Sequence, residues 1–84
     1  MTPQEKAQTI LDALLKRLDI PRPRGTYVEA CSSVAFVRYN AEIVARCTDN
    51  TKMSDAYVAS EVSRIVREFG LPKQLPADYA DDPI

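Results

Sequence analysis

Apolar residues at Ala7, Ile10, Leu11, Leu14, Leu15 and Leu18 recur at helical spacing, with Lys6, Asp12, Lys16, Arg17 and Asp19 largely on the other side. The pattern predicts an amphipathic helix over about 3–18 whose apolar stripe is core. Thr2-Pro3-Gln4-Glu5 marks its start: Thr2 caps, Pro3 fits the first helical position, and Glu5 closes a capping box. Pro21 disfavours helix at Ile20 and ends it. A second stripe, Val58, Val62, Ile65, Val66 and Phe69, follows a Ser54 cap with Asp55 in the first turn. Gly70, Leu71 and Pro72 supply its stop signal. Glu61, Arg64 and Glu68 are spaced for ion pairs along this helix, with Arg67 beside them on the wet side.

Between the helices, residues 26–48 are rich in Val, Ile, Tyr, Phe and Thr, with no Gly or Pro, which reads as β structure. Turns at Ser32-Ser33 and Tyr39-Asn40 divide the stretch into strands at about 26–31, 34–38 and 42–48. With Tyr39-Asn40 as a two-residue loop, Phe36 faces Ile43 and Val34 faces Ala45, and these with Cys47 form the inward face. The other face then carries Tyr27, Glu29, Cys31, Ala35, Val37, Val44 and Arg46. Moving the loop to Asn40-Ala41 sets Arg38 opposite Ile43, a worse pattern for a core face. A helical reading of 34–48, on Val34, Val37, Ala41, Val44 and Ala45, stays open.

The order predicts an α+β two-layer sandwich over residues 1–71: helix, three-stranded antiparallel meander, helix (α-β-β-β-α), with both helices on one side of the sheet. An irregular Pro- and Asp-rich acidic tail follows over 72–84, with Leu75 and Tyr79 as anchors to the body. The uncovered sheet face is unusually apolar for a wet surface, which predicts that Tyr27, Ala35, Val37, Val44 and Arg46 meet a second copy or another protein.

Composition narrows the chemistry. The chain has 84 residues, room for one domain, and a formal charge of −1. It has no His, which removes the usual general base and the commonest metal ligand. Gly25 and Gly70 are its only glycines, so Gly-rich phosphate loops cannot be written. Cys31 and Cys47 are too few and too far apart for a zinc site, and their opposite phases predict free thiols. No base accompanies a Ser or Cys nucleophile, and two layers offer little cleft to desolvate paired carboxylates. The expectation is a protein without catalysis, cofactor, metal or small-molecule substrate. No apolar run approaches the length of a membrane span. The helix start at residues 2–5 leaves no place for a signal peptide, which with free thiols predicts a cytoplasmic location.

All 11 basic residues precede Asp78, whereas Asp78, Asp81 and Asp82 fall in the tail. Lys16, Arg17, Arg22 and Arg24 form the densest basic cluster, around the stiff connector Pro21–Gly25, and suit an acidic protein surface or phosphates. The element order resembles, in topology alone, the double-stranded-RNA-binding domain, which would imply recognition of A-form shape through phosphates and 2′-hydroxyls. That family's lysine cluster at the start of the second helix is not matched by Lys52-Met53-Ser54-Asp55-Ala56, where an Asp would repel phosphate, so no site residue is carried over. Nucleic-acid binding through the basic cluster is therefore the alternative to a protein-interaction module. Compact non-catalytic domains with an acidic tail also fit accessory inhibitors of phages and mobile elements, anti-CRISPR proteins among them, which occlude a host complex. An inhibitor would work through surface charge, a homodimeric adaptor through the apolar sheet face.

Overall fold

At the N-terminus the capping box forms: the Glu5 amide donates to Thr2 Oγ1 and the Thr2 amide to Glu5 Oε1. It opens α1 (Pro3–Leu18), the first element of a computed structural model that describes residues 1–72. β1 (Tyr27–Cys31), β2 (Val34–Tyr39) and β3 (Glu42–Thr48) form an antiparallel sheet in the order β1-β2-β3. α2 (Asp55–Phe69) starts on Ser54, whose hydroxyl accepts from the Tyr57 amide. It ends on left-handed Gly70, after which the Leu71 amide returns to the Val66 carbonyl at 3.0 Å. The α-β-β-β-α order is as the sequence predicts, and residues 34–48 are a hairpin, not a helix. The expected acidic tail, including its anchors Leu75 and Tyr79, lies outside the described residues apart from its first position, Pro72.

The sheet register differs from the sequence expectation. The β2–β3 loop is Asn40-Ala41, both residues left-handed at φ 54° and 72°, as a tight two-residue hairpin turn demands. Three hydrogen bonds hold it: the Ala41 amide to the Gly25 carbonyl at 2.9 Å, the Asn40 amide to Thr26 Oγ1 at 3.0 Å, and Arg38 Nη1 to the Ala41 carbonyl at 2.8 Å. Gly25 is required at this approach, because a Cβ there would lie 2.9 Å from the Ala41 nitrogen, at a φ of +78°.

Further along the hairpin a β-bulge falls between Val37 and Arg38. Val37 pairs with Ala45 and Arg38 with Ile43, so Val44 is the extra residue, left out of the ladder. The expected pairs Phe36–Ile43 and Val34–Ala45 are replaced by Phe36–Arg46 and Val34–Thr48. Loop and bulge together turn β2 over. Ala35, Val37 and Tyr39 point to the helices and are fully buried, with Val44, Ala45 and Cys47 of β3.

Against them pack Ala7, Ile10, Leu11 and Leu14 of α1 and Val62 and Ile65 of α2, giving one core between two layers. α1 touches all three strands, while α2 touches α1 and β3. One member of the polar side of α1 proves to be interior. Lys6 is buried, and its Nζ donates to the carbonyls of Thr48, Asp49 and Thr51 at 3.0, 2.9 and 2.6 Å. Three ammonium protons meet three carbonyls, one at the last residue of β3 and two in the loop after it, which ties the β3–α2 connection to the first turn of α1.

Candidate functional site on the open sheet face

Because both helices lie on one side of the sheet, the opposite side is left bare among the described residues. The register arranges its side chains in three rows across β1, β2 and β3. The first row is Tyr27, Arg38 and Ile43; the second is Glu29, Phe36 and Arg46; the third is Cys31, Val34 and Thr48. Tyr27 and Ile43, 46% and 45% exposed, are among the most exposed large apolar side chains in the described fold. Phe36 and Val34 are half-buried by their neighbours. The face is a small apolar surface carrying fixed charges, as protein contact surfaces commonly do.

Its charges are partly tied. Arg38 Nε donates to Glu29 Oε1 at 2.6 Å across β1 and β2, and its Nη1 reaches the Ala41 carbonyl. The Glu29 bond pushes the Arg38 guanidinium further above its ordinary range. Arg46, exposed at the opposite end of the middle row, has no carboxylate partner among the described residues. On the helix side Arg64 is held more tightly. Its Nε and Nη2 grip both Glu61 oxygens at 3.1 and 2.8 Å, Nη1 meets Glu68 Oε1 at 3.0 Å, and Nη2 also meets the Val44 carbonyl at 3.0 Å. The Glu61 carboxylate pushes the Arg64 guanidinium well up from its ordinary range.

The residues expected at the interface divide into two sets. Tyr27 and Arg46, with Glu29 and Cys31, do lie on the open face. Ala35, Val37 and Val44 do not: they are sealed under the helices, because the Asn40-Ala41 turn and the bulge at Val44 reverse their phase. Their places are taken by Val34, Phe36, Arg38 and Ile43. The signal available in the sequence was Arg38. A charged residue in mid-strand marks its own phase, shared with Val34 and Phe36, as the wet one.

The expected basic cluster is all exposed but belongs to the helix layer and the connector. Arg17 Nη1 reaches Ser63 Oγ of α2 at 3.5 Å, while Lys16 ends α1 and Arg22 and Arg24 flank the buried Pro23. None of the four lies in the rows of the sheet face. Cys31 is exposed on that face and Cys47 is buried, both as free thiols. Burial pushes the Cys47 thiol up, which makes it a poor nucleophile.

Among the described residues no group of three His, Cys, Asp or Glu could hold a metal ion. No described helix is long and apolar enough to cross a membrane. In comparisons with protein-family models, curated proteins and solved structures, no significant match to the chain was found.

Proposed function

We propose that this protein is a small non-catalytic protein–protein interaction module whose docking surface is the open sheet face. The observation that carries the reading is the alignment of Tyr27, Val34, Phe36 and Ile43 on a face the helices leave uncovered, with Glu29, Arg38 and Arg46 set among them. Burying such a face against a protein removes apolar area from water while the charges fix orientation. Between an adaptor using the sheet and an inhibitor using the Lys16, Arg17, Arg22 and Arg24 cluster, the geometry favours the adaptor. A nucleic-acid role has less support: Asp55 opens α2 where phosphate would be gripped, and the formal charge is −1.

A photo-crosslinking amino acid at position 36, with position 8 on the outer side of α1 as control, tests the reading in cells that express the protein. Protein adducts specific to position 36 are expected. Adducts removed by nuclease would assign the face to nucleic acid, and equal or absent crosslinking at the two positions would refute a docking role for the sheet.

A further inference from the structure

We infer that the occupant of the open face is a second copy of this chain, docked sheet to sheet about a two-fold axis parallel to β2. The inference rests on the interaction reading above and goes further by naming the partner. The middle row carries it: Glu29 on β1 and Arg46 on β3 lie on either side of Phe36 on β2. A two-fold axis along β2 exchanges the outer strands, so β1 of one copy lies over β3 of the other. Glu29 then meets the partner's Arg46, Arg46 meets the partner's Glu29, and Phe36 meets the partner's Phe36. In the first row Tyr27 covers the partner's Ile43. Glu29 uses Oε1 for Arg38, which leaves Oε2 for the incoming guanidinium. Arg46 has no carboxylate of its own among the described residues.

The charges also select the orientation. A two-fold axis across the strands would stack Glu29 on the partner's Glu29 and Arg46 on the partner's Arg46, which like-charge repulsion disfavours. The chosen axis leaves one like pair, Arg38 with the partner's Arg38, and each of these is already held by its own Glu29 and Ala41 carbonyl. The strands of the two sheets then run in the same sense, compatible with aligned sheet packing at about 10 Å separation. Three strands at roughly 4.8 Å spacing and about 17 Å length make a small face. It buries on the order of 500 Å² per copy, below the ~800 Å² of a standard interface, so the dimer is weak and exchanging.

The test is sedimentation velocity from about 10 μM to about 1 mM, a range that spans the affinities of small interfaces. The proteins are wild type, Glu29→Arg, Arg46→Glu, and an equimolar mixture of the two variants, each checked for fold by circular dichroism. Wild type is expected to dimerise with rising concentration. Each variant alone is expected to associate at least tenfold more weakly, because its crossed pairs become like-charged. The mixture is expected to regain association. There the arginine introduced by Glu29→Arg faces the glutamate introduced by Arg46→Glu, and the native Glu29–Arg46 pair forms on the other side. A wild type that stays monomeric throughout overturns the second copy as occupant, while protein adducts at position 36 would still uphold the module. A dimer that both single variants leave intact, or a mixture that stays monomeric, also overturns the proposed pairing.

Discussion

Arg64 Nη2 lies 3.0 Å from the carbonyl oxygen of Val44, the residue that the bulge removes from the β2–β3 ladder. A bulged residue loses its strand partner, and a carbonyl left bare beneath a helix would carry a desolvation cost. Arg64 supplies the donor from α2 while both Glu61 oxygens and Glu68 fix its guanidinium. Arg64→Ala is therefore expected to cost about 1.5–3 kcal/mol in urea unfolding, the range for hydrogen bonds to a charged group. Glu68→Gln, touching only the more exposed pair, is expected to cost under about 0.5 kcal/mol. Equal effects of the two substitutions would show that the helix pairs, not the Val44 bond, carry the contribution.

Lys6 does a similar job at the other end of the hairpin. Replacing it by Met keeps much of the apolar stem but strips the Thr48, Asp49 and Thr51 carbonyls of a shared donor. A loss of about 2–3 kcal/mol is expected, with faster amide exchange in residues 49–53 than in α1. An unchanged unfolding midpoint would mean that water replaces the ammonium without penalty.

Ala41 sits at φ 72°, a conformation that costs an L-residue about 1–2 kcal/mol. Ala41→Gly relieves that strain and is expected to stabilise the fold by roughly 0.5–1 kcal/mol, after the extra chain entropy of glycine. Gly25→Ala is expected to act oppositely and more strongly, because its Cβ would collide with the Ala41 backbone. Thermal unfolding of the two variants checks both signs.

The two cysteines give a reactivity prediction. One thiol per chain, Cys31, is expected to react promptly with an aromatic disulfide reagent in native buffer, and Cys47 only on unfolding. Burial raises the Cys47 pKa, so raising the pH to about 8 should still leave it silent in the folded state. Rapid native labelling of both would contradict the placement of Cys47 in the core.

The capping box predicts a pH dependence. The Thr2 backbone amide, then the Thr2 hydroxyl, holds the Glu5 carboxyl below its ordinary value of 4.5. A lowered folded pKa means that the unfolded chain binds the proton more readily. The contribution is thus present above the ordinary value and lost as pH falls through the folded one. Between about pH 5 and 3, wild type is expected to lose more stability than Glu5→Gln, read from urea midpoints at each pH. Parallel losses would show that the carboxylate adds nothing to the cap.

Both helices and the strand order were legible because their signals are local. Thr2 to Glu5, Ser54 and Gly70 are caps whose geometry is set within a few residues, and each apolar stripe has a single phase. The hairpin was different. Both phases of β2 are apolar, Ala35-Val37-Tyr39 and Val34-Phe36, so periodicity alone does not choose between them. The choice is made by non-local contacts: Gly25 and Thr26 clamping an Asn40-Ala41 turn with alanine in a left-handed position, and Arg64 accommodating the bulge at Val44. Neither can be seen in the pattern of one segment. The same slip moved three of the five residues expected at the interface, Ala35, Val37 and Val44, into the core, and left Tyr27 and Arg46 where they were expected because β1 and the far end of β3 kept their phase.

The most direct test sets two adjacent residues against each other. Ile43 is 45% exposed on the open face, and its neighbour Val44 is 3% exposed beneath the helices. Ile43→Asp and Val44→Asp are compared by circular dichroism melting, with sedimentation of whichever variant folds. Ile43→Asp is expected to keep the fold and lose self-association, whereas Val44→Asp is expected to unfold, since burying an unpaired carboxylate costs several kcal/mol. A folded Val44→Asp beside an unfolded Ile43→Asp would reverse the face assignment. A folded Ile43→Asp that associates like wild type would show that the sheet face is not the docking surface.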